Sequence, residues 1–161
     1  MRVSAYRHDS VSRSLLDQAT LYVVPNMNPD GAWRGHLRTN ACGTNLNRAW
    51  QEPSLAESPE VYHVLQKMRA TGVDMLVDVH GDECIPHNFI MYPEGIPNYT
   101  EKMVRCAEKF SKFLKVANPD FQTVRQRIRI HLMQSSKLIR STELPTIAMI
   151  SATLPLLPVC L

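Results

Sequence analysis

Two short apolar runs, each followed at once by polar sequence, constrain the fold of this chain more than any other feature. Residues 20–25 (TLYVVP) and residues 73–79 (VDMLVDV) are β-prone and too short for ordinary helices. Both are therefore predicted to be strands that are buried on two faces. Residues 58–70 between them open with Ser-Pro-Glu and stop before Gly72, which predicts a helix.

Strand, helix and strand in this order predict an α/β domain with at least some parallel strands. Two further helices are predicted. Residues 9–18 have the spacing of a short amphipathic helix with Asp9 or Ser10 at its cap, and residues 99–116 have apolar positions at helical spacing. In such sheets, ligands bind at the carboxyl ends of the strands. The polar segments that follow the two predicted strands are therefore the first candidates for a functional site.

Composition and charge exclude several classes of protein. A chain of 161 residues suits one domain, and its net charge of +3 lacks the concentrated basic face of a nucleic-acid-binding protein. The N-terminus lacks the apolar core of a signal peptide, and the apolar residues 144–161 contain prolines that would break a spanning helix. The four cysteines have irregular spacing, which favours reduced thiols in a cytoplasmic protein. We expect neither a nucleic-acid partner nor a membrane partner.

Residues 26–51 are rich in Asn and Gly without periodicity and are predicted to be a long ordered loop. The Asn-Pro-Asp-Gly at residues 28–31 predicts a turn in which the glycine accepts positive φ. The segment also carries Arg38, Asn47 and Arg48. A guanidinium binds a carboxylate through two parallel hydrogen bonds and an amide adds a donor, so these side chains suit carboxylate recognition. Arginines that are merely solvated, or that pair with nearby acids, are the alternative.

His80 directly follows the second predicted strand and stands beside Gly81, Asp82 and Glu83. A neutral imidazole is a common zinc ligand, and a neighbouring carboxylate can orient it. One histidine cannot form a catalytic zinc site, which needs about three protein ligands and a water. A histidine at the rim of the core that bonds to a polar partner is the alternative.

Four blocks of sequence stand in a fixed order along the chain. They are YVVPNMNPDG at residues 22–31, RGHLRTN at residues 34–40, GTNLNRAW at residues 43–50 and LVDVHGDE at residues 76–83. In order and spacing they resemble the zinc carboxypeptidases, in particular the bacterial form of the branch called cytosolic carboxypeptidases. The resemblance covers roughly residues 12–123 and implies part of a mixed, mostly parallel carboxypeptidase-like sheet with flanking helices.

The resemblance also implies a role for each matching side chain. Arg38 matches the arginine that polarises the scissile carbonyl and stabilises the oxyanion. Asn47 and Arg48 match the pair that holds the terminal carboxylate of the substrate. His80 matches the third ligand of a zinc ion that polarises the carbonyl and lowers the pKa of a bound water. The implied activity is hydrolysis of C-terminal peptide bonds, with zinc as cofactor and a peptide or protein C-terminus as substrate.

The pattern of the family is incomplete in this chain. No His-x-x-Glu, the source of the family's first two zinc ligands, precedes residue 26. Glu143 is the only acid after Asp120 and is the candidate general base, with an exposed loop acid as the alternative. The sequence loses acids and periodicity after residue 123, so we expect a partial catalytic domain at residues 1–123 and an aberrant tail at residues 124–161. A truncated or frameshifted gene would produce both features, and the other reading frames of the surrounding DNA would test this.

Three other functions stay open. A deacylase of N-acyl amino acids has the same fold and a carboxylate-binding arginine, and a metal-free module would bind peptide C-termini without zinc. A basic-tail interaction protein would use residues 125–140, although their five positive charges are few and loosely spaced. For the chain itself we expect weak zinc binding and little peptidase activity.

Overall fold

The computed structural model of the chain describes residues 9–82, 88–91, 100–123 and 148–155. In this part of the chain, four helices precede the first strand, and a fifth helix lies between the second and third strands. In chain order they are α1 (Ser10–Gln18), α2 (Pro29–Arg34), α3 (Leu46–Ala49), α4 (Pro59–Thr71), β1 (Met75–Asp82), β2 (Phe89–Met91), α5 (Glu101–Ala117), β3 (Gln122–Thr123) and β4 (Ala148–Pro155). Glu143, the candidate base, lies outside the described residues.

The four strands form one mixed sheet in the order β1-β4-β2-β3. Strand β1 pairs with β4 in parallel over eight positions, from Met75 opposite Ala148 to Asp82 opposite Pro155. Strand β2 is parallel to β3 and antiparallel to β4. The prediction of an α/β fold with a mixed, mostly parallel sheet and flanking helices is confirmed. The domain boundary at residue 123 stays a prediction.

The three predicted helices each begin with residues that favour a helix N-terminus. The carboxylate of Asp9 caps α1 by accepting hydrogen bonds from the backbone N–H groups of Val11 (3.2 Å) and Ser12 (2.9 Å). Thr100 caps α5 through its hydroxyl, which accepts from the N–H of Met103 (3.3 Å). Helix α4 starts with proline and an acid, as expected. Its N-cap residue, Ser58, makes no capping bond, and its hydroxyl accepts instead from the N–H of Ser54 (3.0 Å).

Two predictions about the strands are wrong. Residues 20–25 are extended but pair with no described strand, and their side chains are exposed, with Tyr22 at 58% and Val23 at 70%. Strand β1 is not buried on both faces, because Val79 is 57% exposed. An apolar run predicts extended backbone from local preference, whereas burial depends on neighbours that lie far away in sequence.

The segment between these runs also differs from its prediction. Residues 26–51 contain two short helices, α2 and α3, rather than one loop. The Asn-Pro-Asp-Gly sequence starts α2 instead of forming a turn: Asn28 is the N-cap, Pro29 the first helical residue, and Gly31 is helical. Proline at the first position of a helix and proline in a turn have the same φ, so local sequence does not separate the two.

The described part of the chain contains two groups of packed apolar side chains. Helix α4 buries Val61, Leu65 and Met68, and Met68 packs against Trp50 near α3 and Leu76 in β1. In the second group, Phe110 and Leu114 of α5 pack against buried Ile90 and Phe121. Helix α4 therefore contacts both the polar segment before it, through Trp50, and strand β1 after it, through Leu76. None of the helices in the described part of the chain is long and apolar enough to cross a membrane.

Candidate functional site

His80 lies near the carboxyl end of β1 and is held by Asp78. Residues two apart on a strand share a face, so the two side chains meet, with 2.9 Å between His80 Nε2 and Asp78 Oδ2. The hydrogen bond that His80 donates to the carboxylate of Asp78 raises the pKa of His80 above its usual value, and burial and the positive charge of Arg38 oppose this rise. The carboxylate thus favours the imidazole orientation in which Nε2 carries the proton and faces Asp78.

This arrangement suits one zinc ligand. When Nε2 donates to a carboxylate, Nδ1 is left with the lone pair that a metal ion needs, and the carboxylate makes the ring a better donor. Within the residues that the structure describes, no group of three His, Cys, Asp or Glu side chains could hold a metal ion. His80 therefore fits a zinc ion as a single ligand, and a complete ligand set requires side chains from outside the described residues.

Arg38 follows α2 and is positioned by Asn28. The side-chain oxygen of Asn28 accepts from the N–H of Gly31 (3.0 Å), and its amide donates to the carbonyl of Thr39 (2.9 Å). This amide therefore joins the start of α2 to the residue after Arg38. Gly31 is required by close approach, since a Cβ there would lie 2.1 Å from Asn28 Nδ2 and 2.4 Å from Thr39 O.

The guanidinium of Arg38 and the imidazole of His80 belong to one neighbourhood, although α2 and β1 are separated by α3 and α4. The charge of Arg38 is close enough to lower the pKa of His80. Arg38 itself is exposed, so its donors are available to a ligand. Among the predicted site residues, the charge of Arg38 thus acts on the candidate metal ligand His80.

Asn47 and Arg48 lie on α3, which begins directly after a tight loop. Asn45 caps this helix through its side-chain oxygen, which accepts from the N–H of Asn47 (3.1 Å). Thr39 and Asn45 form an isolated antiparallel bridge, so the loop returns to the place where it started. Arg38 precedes the loop, and Asn47 and Arg48 follow it.

Arg48 has a buried donor that the structure leaves unpaired. Its side chain is half-buried, and its Nη1 is inaccessible to solvent and has no hydrogen-bond partner in the described part of the chain. An unpaired buried donor costs free energy, and a charged one costs more. A ligand carboxylate is the group that a guanidinium fork matches best. Arg48 thus keeps an unsatisfied buried donor within the described residues.

Sequence reasoning did not identify three residues that build this site. Asp78 could have been found, because an acid two positions before a histidine on a strand shares its face. Asn28 and Asn40 could not, because the segment contains other asparagines of similar context and only the fold shows which are buried. The roles predicted for Arg38, Asn47, Arg48 and His80 stay predictions, as does that of Glu143.

Comparisons with known proteins agree on one family. The family model described as zinc carboxypeptidase matches residues 2–131. An uncharacterized protein of Zymomonas mobilis is 51% identical over 115 residues, which are 71% of this chain and 30% of that protein. Cytosolic carboxypeptidase 1 of Danio rerio is 40% identical over 75 residues, covering 44% of this chain and 6% of its own length.

The fold agrees as well. The crystal structure of a metallo-carboxypeptidase from Burkholderia cenocepacia superposes with a TM-score of 0.81 at 38% identity, over 93% of this chain and 39% of that one. The chain thus spans well under half the length of the relatives that it matches. Because the family model covers most of its residues, this chain belongs to the zinc carboxypeptidase family.

Proposed function

We propose that this chain supplies the substrate-binding side of a zinc metallocarboxypeptidase site, which hydrolyses the C-terminal peptide bond of a peptide or protein. The observation that carries the proposal is the buried, unpaired Nη1 of Arg48. Membership of the family supports the reaction class. The match to a cytosolic carboxypeptidase supports a cytoplasmic location.

Arg48 binds the terminal carboxylate of the substrate. Two parallel N–H···O bonds would satisfy its buried donor and select a free C-terminus over an amide. Asn47, its neighbour on α3, is half-buried and adds a neutral donor. Selecting the end of the chain in this way is what separates an exopeptidase from an endopeptidase.

Arg38 acts one residue further along the substrate. It is exposed and lies near His80, so its charge is available where the scissile carbonyl would approach a metal held by that histidine. A fixed cation stabilises the negative charge that develops on the carbonyl oxygen. Both arginines thereby also orient the substrate before reaction.

His80 would hold a zinc ion through the ring nitrogen that does not face Asp78, together with ligands from outside the described residues. Bound zinc supplies Lewis-acid polarisation of the carbonyl and a water of lowered pKa. Glu143 is the proposed general base. With one ligand in its described part, the chain by itself is expected to bind zinc weakly and to show little peptidase activity.

A second function has an observation in its favour. The described residues hold no three-ligand group, while Arg48 of α3 keeps a buried donor without a partner among them. A module that binds peptide C-termini without metal would need only the latter. The two functions share Arg48 and differ in their dependence on zinc.

The test compares an N-acetyl dipeptide with its C-terminal amide in an NMR titration of the chain. We expect tighter binding of the free acid, and we expect Arg48→Ala to remove about 100-fold of that preference, since two charge-assisted bonds are lost. Arg48→Lys keeps the charge but loses the fork, so part of the preference is lost. Arg69→Ala, on the exposed side of α4, is the matched control.

Zinc separates the two functions. Tighter binding of the free acid when zinc is added, removed by His80→Ala, supports the peptidase site. An affinity for the free acid that changes neither with added zinc nor with His80→Ala supports the metal-free module. Equal affinity for the free acid and the amide contradicts both.

A further inference from the structure

We propose that Asn40 is the positioning residue that sets the distance between Arg38 and Arg48, so that one substrate can meet both guanidiniums. This inference rests on the proposed function, because it concerns how the same site selects its substrate. Asn40 is one of the least exposed polar residues of the described chain, with 1% of its surface accessible.

The side chain of Asn40 uses its full hydrogen-bonding capacity. Its Nδ2 donates to the carbonyl of Glu57 (2.8 Å) and to the carboxylate of Glu60 (3.2 Å). Its Oδ1 accepts from the N–H groups of Cys42 (3.1 Å) and Thr44 (3.0 Å). Two donors and one oxygen with two lone pairs are all that an amide has, so no other side chain of this size could replace it.

These bonds reach in two directions, which gives Asn40 its role. The oxygen shapes the loop between residues 39 and 45, whose backbone is closed by Asn40 N–H donating to Thr44 O (3.0 Å). The nitrogen ties that loop to the start of α4, through Glu57 and Glu60. Because Met68 of α4 packs against Leu76, the helix to which the loop is tied also contacts the strand that carries His80.

The two arginines flank this loop. Arg38 lies two residues before Asn40, and Arg48 lies on the helix that starts where the loop ends. The terminal carboxylate and the scissile carbonyl of a peptide are only one residue apart. Two exposed or half-exposed arginines on separate short elements keep such a spacing only if the loop between them is rigid.

Asn40→Asp tests the inference by a change of a single group. The carboxylate can still accept from Cys42 and Thr44, but it cannot donate to Glu57 and it repels Glu60. We expect the preference for the free acid over the amide to fall about tenfold, through loss of free-acid affinity alone. Simple destabilisation would instead lower the affinity for both peptides together.

A rescue variant and a control make the result specific. Asn40→Asp combined with Glu60→Gln restores one bond, because the glutamine amide can donate to the new carboxylate, so part of the preference returns. Asn118→Asp is the matched exchange at a site remote from the loop, where Oδ1 only accepts from Asp120 N–H (3.1 Å), and it leaves the preference unchanged. If Asn40→Asp does not fold, Glu60→Ala removes only the bond from Asn40 to Glu60, leaves the bond to the carbonyl of Glu57, and lowers the preference by a smaller factor.

The possible outcomes separate this inference from the proposed function. If the unmodified chain prefers the free acid and Arg48→Ala removes that preference, the pocket exists. Asn40→Asp and Glu60→Ala that then bind like the unmodified chain would overturn the role of Asn40 alone. If the unmodified chain shows no preference, the pocket itself is refuted.

Discussion

The polar segment from residue 26 to residue 60 and strand β1 contain the two sides of the candidate site, and they differ in how far they are self-contained. In the polar segment the half-buried amide of Asn28 and the buried amide of Asn40 both have their hydrogen-bond partners within the same segment. In β1, Val77 and Val79 are 41% and 57% exposed, and His80 belongs to no three-ligand group among the described residues.

This difference separates two kinds of function within one site. Carboxylate recognition needs arginines on a rigid loop, and a stretch of about 35 residues can build that by itself with local hydrogen bonds. A metal centre needs ligands from several elements, so it depends on the assembled sheet. Substrate binding and metal binding should therefore respond differently to substitution in the two regions.

The largest effect is expected from Gly31→Ala in the polar segment. In an exposed helix this change stabilises by about 1 kcal/mol. Here the new methyl group would overlap the amide of Asn28 and the carbonyl of Thr39, so we expect a loss of about 2 kcal/mol or more in the free energy of unfolding. Urea denaturation measures it.

Gly35→Ala is the control for that substitution. Gly35 ends α2 at φ +73°, and no atom lies within 4 Å of where its Cβ would be. Only backbone strain applies, which costs about 1 kcal/mol. If Gly31→Ala lowers the free energy of unfolding no more than Gly35→Ala does, the close approach of Asn28 and Thr39 to Gly31 is not present in solution.

The contact of Asn28 with Thr39 also shows which part of the site could not be predicted from the sequence. Arg38, Asn47 and Arg48 could be selected because guanidinium and amide chemistry is visible in the letters, and the resemblance assigned them roles. The need for Gly31 could not, because it comes from the carbonyl of Thr39, eight residues away. The sequence suggested positive φ, whereas the true requirement is the absence of a side chain.

A smaller effect is expected from Asp78→Asn in β1. The carboxylate raises the pKa of His80, so its removal should bring that pKa back toward the usual value of about 6.5. A histidine titration by NMR, with a chelator present, measures the shift. An unchanged pKa would show that the 2.9 Å contact does not persist in solution.

The same pair gives stability a pH dependence of definite sign. A histidine whose folded pKa is raised contributes its full stabilisation below the unfolded pKa, and the contribution disappears as pH rises through the folded pKa. The unmodified chain should thus exceed Asp78→Asn in stability by more at about pH 5.5 than at about pH 8. Both side chains are about a third exposed, so the difference should stay below about 1 kcal/mol.

The smallest effect is expected from Val79→Thr. The side chain is 57% exposed, and threonine keeps the β-branched shape. The free energy of unfolding should change by no more than about 0.5 kcal/mol. A loss comparable to that of Gly31→Ala would mean that this face of β1 is covered in solution, and the contrast between the two regions would fail.

The sheet was predicted only in part. Caps and apolar spacing located α1, α4 and α5, because those signals are local. Residues 20–25 and the start of β1 have a similar apolar, β-prone composition, yet only β1 has a strand partner among the described residues. What distinguishes them is β4, which pairs with β1 from a position far along the chain that no local pattern reveals.

The position of β4 between β1 and β2 also sets an order of assembly. Closing a long stretch of chain before Met75 can meet Ala148 carries an entropic cost and slows pairing. During synthesis the ribosome must pass residue 155 before these strands can join. The hydrogen bonds of Asn28 and Asn40 lie within residues 28–60 and need no such wait, so a nascent chain can form the loop between residues 39 and 45 well before it forms a joined sheet.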